Sequence, residues 1–99
     1  MAVNFDPARR LDTGASVVVQ STGTSARTAA GLVYGELRLH ARGAGWFNVG
    51  GSTVTATAGA GSTPLEAGQV EYVKIYPGQF VAWITAGGTQ DLVVTGVSG

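Results

Sequence analysis

Gly35-Glu36-Leu37-Arg38-Leu39-His40-Ala41-Arg42-Gly43-Ala44-Gly45-Trp46-Phe47-Asn48-Val49-Gly50-Gly51 decides the fold class. Leu37 and Leu39 alternate with Glu36, Arg38 and His40, a period of two that places the leucines on one face of a strand and the polar residues on the other. An antiparallel strand with one buried face reads this way. Gly43-Ala44-Gly45 then turns the chain, Trp46–Val49 forms a second short strand, and Gly50-Gly51 turns it again.

The same grammar extends in both directions. Upstream, Ser16–Gln20 holds three consecutive valines, a β-branched run that suits a strand buried on both faces. Residues 21–31, mostly Ser, Thr, Gly and Ala with Arg27, read as a loop. Downstream, Ser52–Ala58 sets Thr53, Thr55 and Thr57 against Val54 and Ala56 and reads as a strand. Gly59–Gly68 is a turn-rich link, and Gln69–Tyr76 is a strand ended by Pro77-Gly78. Gln79–Thr85 places Phe80, Ala82 and Ile84 opposite Val81 and Trp83, and Asp91–Thr95 is the last strand. About seven short strands bounded by glycine or proline, with no helical periodicity, predict an all-β chain. The expected architecture is a single β-sandwich, jelly-roll or Greek-key like. Its expected core is Val17, Val19, Leu37, Leu39, Phe47, Val54, Val70, Val73, Phe80, Ile84, Leu92 and Val94.

Residues 1–15 read as an extended N-terminal arm before a sandwich domain at 16–99. Asp6 before Pro7 favours extended backbone at Asp6 and allows a short helical turn from Pro7. Asn4, Phe5, Arg9, Arg10 and Leu11 are the arm residues expected to touch a partner.

With 99 residues the chain suits one domain, large enough to bury roughly 60–70% of its unfolded surface. It has no cysteine, which excludes disulfides and cysteine-ligated metal. Only 12% of residues are charged and the formal net charge is zero, so binding to nucleic acid or anionic membrane is not expected. The apolar share is 44%, and the apolar residues are patterned, which separates the chain from disordered ones despite 16 glycines. Charge is uneven: residues 1–42 carry +2 and the remainder −2. The opening residues show no basic stretch followed by an apolar one, and no apolar run is long enough to span a bilayer. Synthesis and folding in the cytoplasm are expected.

Leu11-Asp12-Thr13-Gly14-Ala15-Ser16 spells the Asp-Thr-Gly of aspartic proteases, whose chemistry needs two such carboxylates sharing a proton. A dimer of a chain this short could supply the pair. Against this, Arg9 and Arg10 stand where that fold places apolar strand residues, eleven residues leave little room for the upstream hairpin, and no helix follows Leu92–Gly96. Asp12 is instead expected to cap amides in a turn before the first strand. Gly59-Ala60-Gly61-Ser62-Thr63 has no lysine after it and no helix to lend its N-terminus, so it is no phosphate loop. His40 is the single histidine and has no cluster to join. No catalytic, cofactor or metal site is expected. Trp46, Trp83, Tyr34, Tyr72 and Tyr76 would suit a sugar platform but fit better as core or interface anchors.

Trp46-Phe47-Asn48-Val49-Gly50, the Thr/Val/Ala run Ser52–Ala58, Pro64-Leu65-Glu66-Ala67-Gly68, Tyr76-Pro77-Gly78 and Ala82-Trp83-Ile84 occur in an order that resembles small virion structural proteins of tailed bacteriophages. Asn4-Phe5-Asp6 and Leu11-Asp12-Thr13 look similar too. The resemblance implies a capsid decoration (cement) protein on the outer head surface. Its implied partners are the major capsid protein and copies of itself in a homotrimer. A neck, head-fibre or tail component is the alternative. A carbohydrate-binding host-surface module and a dimeric aspartic protease come behind it.

Overall fold

The computed structural model describes residues 10–29, 31–32 and 35–98, with residues 10–15 and 98 described in backbone only. Its strands are β1 (Arg10–Ser21), β2 (Ala26–Arg27), β3 (Glu36–Ala41), β4 (Gly45–Gly50), β5 (Thr63–Leu65), β6 (Val70–Lys74), β7 (Phe80–Thr85) and β8 (Gln90–Ser98). They form two four-stranded antiparallel sheets, β1-β8-β3-β6 and β2-β7-β4-β5. First pairs with last, second with seventh, third with sixth and fourth with fifth. One long hairpin wound around the barrel axis produces those pairs, so the sandwich is an eight-stranded jelly roll.

The sheets meet over Val19, Leu37, Leu39, Ala41, Phe47, Leu65, Ile75, Val81, Trp83, Leu92 and Val94. Leu37 and Leu39 are fully buried, while Glu36, Arg38 and His40 alternate with them as half-buried residues of the other face. Trp83 fills the centre, and its Nε1 donates to the Gln90 carbonyl at 3.2 Å, which joins β7 to the first residue of the opposite sheet's β8.

Several expectations are corrected. Strand β1 begins at Arg10 rather than Ser16, so Arg10, Leu11 and Asp12 pair with Ser98, Val97 and Gly96. The register shifts between Asp12 and Val17, which places Thr13–Ser16 in a bulge within the strand, not in a turn before it. Val17 is 40% exposed instead of core, because β1 is an outer strand. In β7 the phase is reversed: Val81 and Trp83 face the core, while Phe80 and Ile84 are half-buried on the other side. Val54 and Val70 are half-buried as well, outside the core cluster. Val73 is partly buried against that cluster. Ala26–Arg27 forms a short strand inside the expected loop. Ser52–Ala58 joins no ladder and has a different role, described below.

Two turns bracket β6 and share one construction. Gln69 N–H donates to the Glu66 carbonyl and Gln79 N–H to the Tyr76 carbonyl, each with a glycine at positive φ in the third position, Gly68 at 83° and Gly78 at 93°. These are type II turns, where a side chain at that position would be strained. In both, the glutamine Oε1 accepts from the N–H of the turn's first residue at 2.9 Å.

A buried serine ties the corner after β1. Ser21 Oγ donates to the Thr24 carbonyl at 2.8 Å and accepts from Gly23 N–H and, across to the other sheet, Thr85 N–H at 3.1 Å. Ser21→Ala leaves the buried Thr85 amide without that acceptor. Its expected cost is about 1–2 kcal/mol in urea unfolding, and an unchanged midpoint would show that the corner does not depend on the hydroxyl.

Candidate interaction surface

The two outer faces of the sandwich differ. On the β2-β7-β4-β5 sheet, Ala82 points away from the core yet is fully buried. Its cover is the stretch 52–58. Arg27 Nη1 donates to the Val54 carbonyl at 3.5 Å, Asn48 Nδ2 to the Thr55 carbonyl at 3.2 Å, and Ala56 N–H to Ser25 Oγ at 2.9 Å. Arg27 and Asn48 flank Ala82 in the register, so the segment crosses the outer face as a strap, with Ala56 buried beneath it. The threonine–valine alternation of Ser52–Ala58 therefore records one covered side, not a hydrogen-bonded ladder.

The outer face of β1-β8-β3-β6 carries no such strap among the described residues. The register aligns Val18, Val93, His40 and Val70 in one row across all four strands. The adjoining row holds Thr95, Arg38 and Tyr72, with Ser16 and Thr95 hydroxyls 2.8 Å apart. On the other side Gln20 Nε2 donates to Asp91 Oδ1 at 3.1 Å. Thr95 and Val97 are buried, but Val18 is 59% exposed and Tyr72 40%. Burying apolar surface is worth about 25 cal/mol per Å², and folding of one chain leaves this gain unrealised at Val18.

A cavity of about 530 Å³ opens at the end of the sandwich, lined by Gly35, Val49, Lys74, Ile75, Tyr76 and Gln79. Among the described residues its lining is mixed, with the ammonium group of Lys74 and no nucleophile–base pair.

The residues singled out in the sequence are dispersed. Asn4, Phe5, Arg9 and Tyr34 lie outside the described residues. Arg10 and Leu11, expected in a partner-binding arm, belong to β1. Trp83 is in the core, Trp46 lies opposite Pro64 and Ile84 on the strapped sheet, Tyr72 is on the other sheet, and Tyr76 is 79% exposed at the cavity. These four aromatics form no shared platform. Among the described residues no three of His, Asp and Glu gather as a metal site, and no helix is long and apolar enough to cross a membrane. Val17, expected in the core, and Val18, expected only as part of a strand buried on both faces, are both exposed. Compared with protein-family models, curated proteins and solved structures, the chain matches none.

Proposed function

We propose that the protein is a non-enzymatic structural component of a tailed-phage virion. In this reading it is a capsid decoration protein, made in the host cytoplasm, that binds the major capsid protein on the outer head surface and stabilises the shell. Self-association accompanies docking, and the resemblance implies a homotrimer. The observation that carries the reading is the contrast between the faces: one strapped and finished, the other presenting exposed Val18 and Tyr72. A body of that kind suits lateral contact better than catalysis. The resemblance over Trp46–Gly96 supplies the virion, and the jelly roll, used by capsid and lectin domains alike, is compatible with it by analogy of fold.

The test is the protein's copy number in purified particles. A number on the order of the capsid protein's supports decoration, while a few copies per particle would move it to the neck, head fibre or tail. Peptide cleavage at acidic pH that disappears in Asp12→Asn would overturn the non-enzymatic reading. The arm has its own test, and its boundary follows from β1. Removing residues 1–9 spares every pair from Arg10 onward, so the truncated chain is expected to keep its β-sheet circular dichroism and thermal midpoint yet to lose head binding. Normal decoration by the truncated chain would remove the arm from the docking contact.

A further inference from the structure

The four sheet edges are unequal. Two are short: β2 has two residues and β5 three. The third, β6, carries Glu71 and Lys74, both exposed, and charges on an edge oppose pairing with a further strand. The fourth is β1, twelve residues long. Its first half is interrupted by the bulge between Asp12 and Val17. Its second half, Val17–Ser21, pairs residue for residue with β8, and from Ser16 to Ser21 it holds no charge and no proline. Val17 and Val18 stand 40% and 59% exposed along it. Among the described residues none of the devices that blunt an edge acts on this half.

We propose that two copies of this chain pair antiparallel through Ser16–Gln20 of β1, about a two-fold axis at Val18, to make one continuous eight-stranded sheet. The two-fold places Val18 opposite Val18 of the second copy, Val17 opposite Val19, and Ser16 opposite Gln20. A self-complementary contact sets each side chain against its own kind or its mirror position, and a charged strand would repel itself there. This strand has nothing to repel, and opposed valines are a favourable cross-strand pair. The same argument disfavours β6, where a charge of either sign would meet its like in at least one register. This pairing does not depend on a virion role, and it puts a closed two-fold dimer in place of the homotrimer that the resemblance implies.

Cysteine scanning tests it directly, since the chain has no cysteine of its own. Directly opposed positions in an antiparallel pair hold Cβ atoms about 4.5–5.5 Å apart, close to the separation a disulfide accepts. Val18→Cys is expected to oxidise in air to a species of twice the chain mass on non-reducing gels, whereas Tyr72→Cys on the opposite edge is not. In light scattering the unmodified protein is expected at twice the chain mass. Val18→Lys, which sets two ammonium groups face to face at an exposed position, is expected to halve that mass with unchanged circular dichroism. A monomeric or trimeric unmodified protein, a dimer whose mass Val18→Lys leaves unchanged, or equal cross-linking by the Val18 and Tyr72 cysteines would overturn the proposal.

Discussion

Trp83→Ala is expected to lower the unfolding free energy by about 3–5 kcal/mol. Domains of this size have about 5–15 kcal/mol in total, so the variant should lose a large fraction of its stability. The size of the effect follows from position. Trp83 is fully buried and is the largest side chain in the core. It lies in β7 between Ala26 of β2 and Phe47 of β4, and its indole N–H reaches the Gln90 carbonyl of the opposite sheet. Alanine removes the ring that spans the two layers and one of the hydrogen bonds that join them. Urea unfolding followed by circular dichroism measures the loss. Tyr76→Ala, at a side chain 79% exposed, should stay within about 0.5 kcal/mol of the parent. Equal midpoints for the two variants would mean that the core does not rest on Trp83.

Gly45→Ala is the second large effect, expected at about 3 kcal/mol, the upper end of the usual cost of overpacking. A Cβ on Gly45 would run into the Ile84 carbonyl oxygen and would lie 2.6 and 2.8 Å from Cη2 and Cζ2 of Trp83. Neither can yield easily, since one belongs to the β4–β7 ladder and the other is the buried indole. Gly45 is not among the positive-φ glycines, so the penalty is steric and not conformational. Gly51→Ala, where nothing lies within 4 Å of the added carbon, is the matched control and should leave the midpoint unmoved. Because Gly45 and Trp83 touch, the two large substitutions should not add. Gly45→Ala should cost less in the Trp83→Ala background, where the ring contacts are gone and the Ile84 carbonyl remains.

The β-sandwich was legible wherever one face of a strand is buried and the other wet. Leu37 and Leu39 in β3 show the alternation and are buried as it predicts. Legibility failed where both faces are covered. In β7 the strap hides Ala82 on one side and the core hides Val81 and Trp83 on the other, so the strand is apolar throughout and its phase cannot be read from polarity. It failed again in β1, for the opposite reason. Three consecutive valines suggest burial on both faces, but the strand lies at the edge of its sheet, and edge position is a property of strand order that no local pattern carries. The candidate surface was hidden for the same cause: Val18 became conspicuous only when the pairing of first strand with last put it at a border. The neighbours of Asp12-Thr13-Gly14 count against an active site, and its position in a bulged strand is a matter of register, invisible before Gly96 is known to lie across from Asp12.

The place of β8 between β1 and β3 governs how the chain is made. Gln90–Ser98, made after the seven other strands, occupies the interior of its sheet, not its border. Until Gln90–Ser98 leaves the ribosome, β1 and β3 have no common partner, and Val17–Val19 waits with neither side bonded. Contacts between residues far apart in sequence, such as β1 with β8, are slow to form, so the sheet closes only after β8 has been made. A chain stopped before Gln90 would leave β1 without its strand partner and β3 paired with β6 alone.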